Sequence, residues 1–156
     1  MKNNKTNVMR VLEQHKIDYA AYTYGDGTAL SGTEVAELLG KDPLETFKTL
    51  VTVGKSGRYY VFVIPVCCEL DLKKAAAAAG EKSIEMVKSK DLLPLTGYVH
   101  GGCSPIGMKK QFPTFVDSSA ESLEKMMFSG GRIGFQVEID PQALASIIPL
   151  QYTDLT

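Results

Sequence analysis

Two adjacent apolar segments near the middle of the chain constrain the fold more than any other part of the sequence. Residues 47–53 (FKTLVTV) and 58–65 (RYYVFVIP) are rich in β-branched and aromatic residues, and a short segment with two glycines separates them. This arrangement predicts a β-hairpin. The second segment is apolar at almost every position, which is typical of a central strand that is covered on both faces.

Helical and extended patterns alternate along the rest of the chain. Capping residues predict helices that begin after Ser31, Asp42, Asp71, Ser118 and Asp140. The interspersed order of helices and strands predicts a mixed α/β fold with a mixed sheet, formed by one domain over residues 1–156. The remaining helices are predicted at residues 7–15 and 89–93, and the remaining strands at 18–24, 83–87, 112–117, 126–129 and 135–139.

The composition excludes several classes of protein. The chain has 156 residues, of which 44% are hydrophobic, so it is long and apolar enough to bury a core. The N-terminus lacks the apolar segment of a signal peptide, and no apolar run approaches the ~18 residues that cross a bilayer. Three cysteines without CxxC spacing, and the distant His15 and His100, predict neither a disulfide framework nor a metal site. We therefore expect a cytoplasmic protein with no membrane contact and no cofactor.

Two glycine-rich segments and one lysine are the candidate site features. Residues 97–110 (GYVHGGCSPIGMKK) contain four glycines, and residues 129–134 (SGGRIG) contain three. Such segments are typical of ordinary surface turns, but they also permit positive φ and expose backbone N–H groups that can bind an anion or an oxyanion. Lys48 lies in an otherwise apolar strand, where its amine either reaches solvent at the strand end or enters a pocket.

Single residues in or near these segments leave alternatives open. Cys103 is either a buried small apolar residue, which we favour, or a nucleophile. Ser129 either directs its hydroxyl into a site or stabilises its own turn, and Tyr24 forms either a pocket wall or part of the core. Residues 102–109 do not form a phosphate-binding P-loop, because no lysine directly follows Gly107. Such a site would catalyse by positioning and by oxyanion stabilisation rather than with a metal or a triad.

Five short motifs occur in an order that resembles a known family. They are FKTL at residues 47–50, LDLKK at 70–74, GYVHGGCSPIG at 97–107, PT at 113–114 and SGG at 129–131. Together they cover nearly the whole chain and resemble the YbaK/EbsC family of aminoacyl-tRNA deacylases, which is related to the editing domain of bacterial prolyl-tRNA synthetases. The resemblance implies a mixed β-sheet, partly barrel-like and surrounded by helices. It also implies a trans-editing hydrolase whose leading substrate is Cys-tRNA(Pro).

The resemblance also implies roles for individual residues. Lys48 matches the pocket lysine of the family and Gly101 its loop glycine, so these two are the expected catalytic residues. In Cys-tRNA deacylases of this type the substrate's own thiol attacks the ester, and other members activate a water. Cys103 would then be a packing residue. The residues expected to bind substrate are Tyr24, Thr49, Gly102, Ser129, Gly131 and Gln136, and those expected to contact tRNA phosphates are Lys109 and Lys110.

One position departs from the family pattern. Some Cys-tRNA deacylases of the family have an aspartate where this chain has Gln136, and glutamine lacks the charge that pairs with the substrate's α-ammonium. The preferred amino acid is therefore open, with alanine as the alternative to cysteine. A non-catalytic module that binds aminoacyl-tRNA or a nucleotide is a second alternative. The expected partners are the 3′ end of aminoacyl-tRNA and, by analogy with the family, prolyl-tRNA synthetase in a ternary complex.

Overall fold

A computed structural model describes residues 5–156, and the first four residues of the predicted domain 1–156 lie outside the described residues. Five α-helices, one 3₁₀ helix and eight strands are interspersed along the described chain. In order they are α1 (Asn7–Gln14), β1 (Ala20–Thr23), α2 (Gly32–Leu39), β2 (Phe47–Gly54), β3 (Tyr59–Pro65), α3 (Leu72–Ala79), β4 (Ile84–Met86), α4 (Ser89–Thr96), β5 (Thr114–Asp117), the 3₁₀ helix (Ser118–Ser122), β6 (Met126–Ser129), β7 (Phe135–Ile139), α5 (Pro141–Ile147) and β8 (Leu150–Thr153).

The strands form two sheets. The smaller sheet has the order β1-β7-β6 with antiparallel pairing, and the larger has the order β4-β2-β3-β5-β8. The larger sheet is mixed, because β2 pairs antiparallel with β3 and β4 whereas β3, β5 and β8 run parallel. A parallel bridge between Thr46 and Met127 joins the sheets. The mixed α/β fold is as predicted, and the pairings among residues 5–156 form two sheets joined by one bridge, which leaves the partly barrel-like character a prediction.

The predicted hairpin is the centre of the larger sheet. β3 is buried along nearly its whole length because it has a hydrophobic cluster on each face. Val61 and Val63 belong to the main cluster, which includes α1, α5 and the smaller sheet. Phe62 and Ile64 belong to a second cluster with Ala75 of α3. The small alanine side chains of α3 therefore allow that helix to lie close to the sheet.

Several helix ends are formed as the capping residues predict. Ser31 forms a reciprocal capping box with Glu34 at the start of α2, and Asp71 and Asp140 accept from backbone N–H groups at the starts of α3 and α5. Gly40 and Gly80 end α2 and α3 in the left-handed conformation that glycine adopts without strain. These helices depend mainly on local sequence.

Four local predictions were wrong or incomplete. Asp42 does not start a helix, because its carboxylate accepts from Leu44 in a turn that leads directly into β2. Pro94 does not end α4, which continues to Thr96. The helix predicted after Ser118 is only a short 3₁₀ helix, and β8 was not predicted at all. Among residues 5–156, no helix has the length and apolar character needed to cross a membrane.

Candidate functional site

A cavity of about 520 Å³ lies between the two sheets, with walls from both. This volume lies within the range of about 300–1,000 Å³ that is typical of small-molecule pockets. Residues of β2 form one wall, and residues of β6 and β7 contribute another part. The start of α2, the end of β4, the start of α4 and the loop before β5 complete it.

The cavity follows an open edge of β2. Lys48, Thr49 and Leu50 all line it, although consecutive side chains of a strand point to opposite faces. β4 covers the other half of this edge, where it pairs with Thr52–Gly54. The backbone hydrogen bonds between β2 and β3 are made by the even-numbered residues of β2. The N–H of Val66 donates to the carbonyl of Thr46, and the N–H of Gly54 donates to the carbonyl of Arg58. The N–H and C=O of Thr49 therefore point away from β3, toward the open edge.

Six of the predicted site residues line this one cavity: Tyr24, Lys48, Thr49, Gly101, Ser129 and Gln136. They come from five separate segments of the chain. Ser129 and Gln136 are direct cross-strand partners in the smaller sheet. Tyr24 directly follows β1. Its backbone N–H donates to the carbonyl of Gly134, in the second glycine segment, at 3.0 Å. The smaller sheet thus places these three residues opposite β2.

Lys48 is the cationic side chain of the strand wall. It is partly exposed and forms no ion pair within residues 5–156, and none of the described lining residues is an aspartate or a glutamate. Lys48 lines the cavity, and the interpretation in which its amine enters the pocket stays a prediction. A cation without an acidic partner in such a cavity attracts a carbonyl oxygen that gains negative charge, or a phosphate.

Two buried oxygens of the lining lack a hydrogen-bond partner. They are Oγ1 of Thr49 and Oε1 of Gln136, and Gln136 is only 7% exposed. Buried polar atoms are almost always hydrogen-bonded, and leaving one unsatisfied costs about 1–3 kcal/mol. Both residues line the cavity, so a ligand with hydrogen-bond donors is the natural partner for these oxygens.

The first glycine segment supplies three cavity residues: His100, Gly101 and Cys103. Gly101 has a φ of +89°, and a Cβ there would lie 3.2 Å from Cβ of Ala29. Gly102 is buried, does not line the cavity, and uses its N–H in a turn to the carbonyl of Val99 at 3.0 Å. A Cβ on Gly102 would lie 3.0 Å from the backbone nitrogen of Ile133. The first glycine segment therefore packs directly on the second.

The second glycine segment combines a turn with a cavity wall. The hydroxyl of Ser129 accepts from the N–H of Gly131 at 3.1 Å, so Ser129 stabilises its own turn while it lines the cavity. Gly131 does not line the cavity. It has a φ of +94°, and a Cβ there would lie 2.8 Å from a methyl carbon of Val8 in α1. Gly131 is thus required by packing against the first helix.

Cys103 lines the cavity but is a poor nucleophile. Burial raises the pKa of its thiol to about 12, so the thiol stays protonated at neutral pH, and the thiolate is the reactive form. His100 also lines the cavity, and no hydrogen bond joins it to Cys103 within the described chain. Among residues 5–156, no group of three or more His, Cys, Asp or Glu side chains is positioned to hold a metal ion.

The two lysines expected to contact tRNA lie outside the cavity lining. The side chain of Lys109 lies beside Gly97, and Nζ of Lys110 lies 6.0 Å from the centre of the Phe112 ring. Two other exposed lysines, Lys88 and Lys90, flank Ser89, which does line the cavity. All four appear in the sequence as basic residues. Only the fold shows that Lys88 and Lys90 flank a cavity-lining residue whereas Lys109 and Lys110 do not.

Sequence patterns missed most of the apolar lining. Val35, Val66 and Leu92 read as ordinary core positions, yet they line the cavity from three separate elements. A Cβ on Gly32 would lie 2.4 Å from a methyl carbon of Val66, so this glycine allows the start of α2 to approach the end of β3. Gly32, directly after the Ser31 cap, was the one sign of this close approach in the sequence, because the first position of a helix ordinarily tolerates a side chain.

Comparisons with known proteins agree with this architecture. The sequence model of the aminoacyl-tRNA editing domain family matches residues 28–147. An Enterococcus faecalis protein, EbsC, which carries the provisional name Cys-tRNA(Pro)/Cys-tRNA(Cys) deacylase, is 48% identical over 153 residues, covering 97% of this chain and 93% of its own.

Two solved structures share the fold. The crystal structure of the hypothetical protein APE2540 is 25% identical with a TM-score of 0.87, covering 96% of this chain and 99% of its own. A protein described as a candidate trans-editing enzyme for prolyl-tRNA synthetase is 23% identical with a TM-score of 0.81, covering 97% of this chain and 98% of its own. At these identities the likeness concerns the fold.

Proposed function

This chain belongs to the aminoacyl-tRNA editing domain family, and on that premise we propose that it hydrolyses the ester of mischarged aminoacyl-tRNA, with Cys-tRNA(Pro) as the leading substrate. The observation that carries the proposal is the shared cavity: Lys48, Gly101, Ser129 and Gln136 line one pocket although they are far apart in sequence. In this proposal residues 1–156 form a single editing domain that acts in the cytoplasm.

The proposed mechanism needs no protein nucleophile. The substrate's thiol attacks its own ester carbonyl, a C–S bond forms, the ester C–O bond breaks, and the ribose oxygen leaves with the thiol proton. The products are a cysteine thiolactone and a free tRNA 3′ end. Lys48 and the N–H of Gly101 stabilise the oxygen that gains negative charge, and the raised pKa of the Cys103 thiol is consistent with a passive role for that residue.

The remaining lining residues position the substrate. Tyr24 and Ser129 present hydroxyl groups, and the unpartnered oxygens of Thr49 and Gln136 accept hydrogen bonds from the aminoacyl group or the terminal nucleoside. We assign Gly102 and Gly131 an indirect role, since each holds a glycine segment in place without lining the cavity. Their backbone geometry sets the position of Gly101 and Ser129.

The partner in this proposal is the 3′ end of aminoacyl-tRNA. We propose that Lys109 and Lys110 contact phosphates of the acceptor stem, joined by Lys88 and Lys90, which flank the cavity-lining Ser89. With a formal net charge of −1, the chain has little overall attraction for tRNA. A ternary complex with prolyl-tRNA synthetase would supply the missing tRNA selectivity.

Deacylation assays on tRNA(Pro) charged with cysteine, alanine or serine test this function, each with and without prolyl-tRNA synthetase. We expect loss of the cysteinyl ester well above the buffer rate. Faster loss of the alanyl ester than of the cysteinyl ester would assign the chain to the deacylases that act on small amino acids and activate water. This is the second candidate function, and the uncharged Gln136 favours it. Saturable binding of an aminoacyl-adenosine analogue without turnover of any substrate would instead identify a non-catalytic binding module.

A further inference from the structure

The charge of the cavity lining differs from what a substrate with a free α-ammonium requires. An aminoacyl ester carries that ammonium beside the reacting carbonyl, and a protein carboxylate is its usual partner. None of the described lining residues is an aspartate or a glutamate, whereas Lys48 brings a positive charge into the same cavity. A like charge at this position disfavours an ammonium rather than holding it.

Two carboxylates of the sheets, one on β7 and one on β5, are already engaged within the protein. Glu138 lies two residues beyond Gln136 on β7, but it forms an ion pair with Lys41 at 3.5 Å and accepts from the hydroxyl of Tyr22 at 3.2 Å. Asp117 is buried and accepts from the backbone N–H groups of Ser119 and Leu155. Neither residue lines the cavity.

Besides the cationic Lys48, the lining contains neutral polar groups of Thr49 and Gln136 that match an amide. Oε1 of Gln136 is a buried acceptor without a partner, and an amide N–H satisfies it as well as an ammonium does. The N–H and C=O of Thr49 face the open edge of β2, where they present one donor and one acceptor side by side. An N-acylated amino acid carries the complementary donor and acceptor, as a strand of peptide does.

We propose that this cavity accepts N-acylated aminoacyl esters, such as formyl or acetyl derivatives, as substrates in addition to esters with a free α-amino group. The proposal rests on the proposed deacylase function and extends its substrate class. The acyl amide lies along the open edge of β2 beside Thr49. Its N–H donates to the C=O of Thr49 or to Oε1 of Gln136, and its C=O accepts from the N–H of Thr49. The absent ammonium removes the repulsion from Lys48. For substrates without a thiol, water is the nucleophile: its oxygen bonds to the carbonyl carbon, the ester C–O bond breaks, and the ribose oxygen takes up a proton.

The test compares paired substrates on the full-length protein. Alanyl-tRNA(Pro) and cysteinyl-tRNA(Pro) are each assayed with a free and with an acetylated α-amino group, and the spontaneous rate of each ester is subtracted. We expect the acetylated esters to be hydrolysed at a kcat/KM within about tenfold of the free esters, since the neutral acceptors serve both. Hydrolysis of the free esters with none of the acetylated ones overturns this proposal alone, and hydrolysis of neither overturns the deacylase function as well.

An isosteric variant tests the role of charge. Gln136→Glu introduces a carboxylate of the same length, and we expect it to shift the ratio of kcat/KM toward the free ammonium by about tenfold, because a charge-assisted hydrogen bond is about twice as strong as a neutral one. Gln136→Asn keeps the neutral amide and is expected to leave the ratio within about threefold. An unchanged ratio in a folded Gln136→Glu variant contradicts the proposed charge discrimination. Circular dichroism and urea unfolding establish that each variant is folded.

Discussion

The two halves of β2 have the same sequence character but different surroundings. The half at Thr52–Gly54 has β3 on one side and β4 on the other, whereas the half at Lys48–Leu50 has β3 on one side and the cavity on the other. Thr52 is fully buried and donates to the carbonyl of Tyr60 at 3.0 Å, while the buried hydroxyl oxygen of Thr49 has no partner. The closed half satisfies its polar groups within the protein, and the open half leaves them for a ligand.

Replacing the lysine of the open half has the largest expected effect. We expect Lys48→Ala to lower kcat/KM for Cys-tRNA(Pro) by about 100-fold to 1,000-fold, the range found when one oxyanion-stabilising group is removed. Lys55→Ala is the matched control, because Lys55 is an exposed lysine in the turn at the closed end of β2. Steady-state deacylation measures both, and equal activity of the two variants would show that the cavity lysine has no catalytic role.

Two glycines with the same backbone angle separate strain from function. Gly101 and Gly57 both have a φ of +89°, but Gly101 lines the cavity and Gly57 lies in the β2–β3 turn with open space around it. We expect Gly57→Ala to lose about 1–2 kcal/mol of unfolding free energy in urea from the strained conformation, and Gly101→Ala to lose at least as much, because its Cβ would also lie 3.2 Å from Cβ of Ala29. Only Gly101→Ala should also lose activity, by about tenfold or more, because its N–H is displaced from the reacting oxygen. Similar activity losses in both variants would leave strain as the whole explanation.

The two threonines test the comparison directly. Thr52→Val removes a satisfied buried hydrogen bond, so we expect a loss of about 1–2 kcal/mol in unfolding free energy and unchanged activity of the folded protein. Thr49→Val removes an unsatisfied hydroxyl of nearly the same volume, so its stability should stay equal or rise while substrate binding weakens by about threefold to tenfold. Urea unfolding and the KM of deacylation distinguish the two. A stability loss at Thr49 equal to that at Thr52 would contradict the open-edge description.

The smallest expected effect concerns the cysteines. Because burial raises the pKa of the Cys103 thiol to about 12, this thiol remains protonated below about pH 10, and a thiol-directed reagent should label the exposed Cys67 first. We expect Cys103→Ala to retain deacylation within about threefold of the unmodified protein. Peptide mass spectrometry locates the label. Rapid inactivation with the label on Cys103 would instead support a cysteine nucleophile.

The sequence predicted the local elements where one residue type decides the backbone. The capping box at Ser31, the glycine ends of α2 and α3, and the apolar β3 all depend on short-range chemistry, and the structure has each of them. It failed where packing outweighs propensity. β8 carries little alternation, yet it forms because β5 offers it a parallel edge at Thr114–Asp117. Pro94 lies inside α4, which continues beyond it to Thr96 and ends at the left-handed Gly97.

The sequence by itself determined the mixed α/β class and identified the family through five ordered motifs, because both depend on which residues occur and in what order. Only the tertiary structure decided which candidates share a cavity. Six of the predicted site residues line it, whereas Gly102 and Gly131 pack behind it and Lys109 and Lys110 lie outside its lining. The physical reason is that β4 begins its pairing only at Thr52, so part of β2 stays open. That gap is a property of strand register, which no single motif encodes.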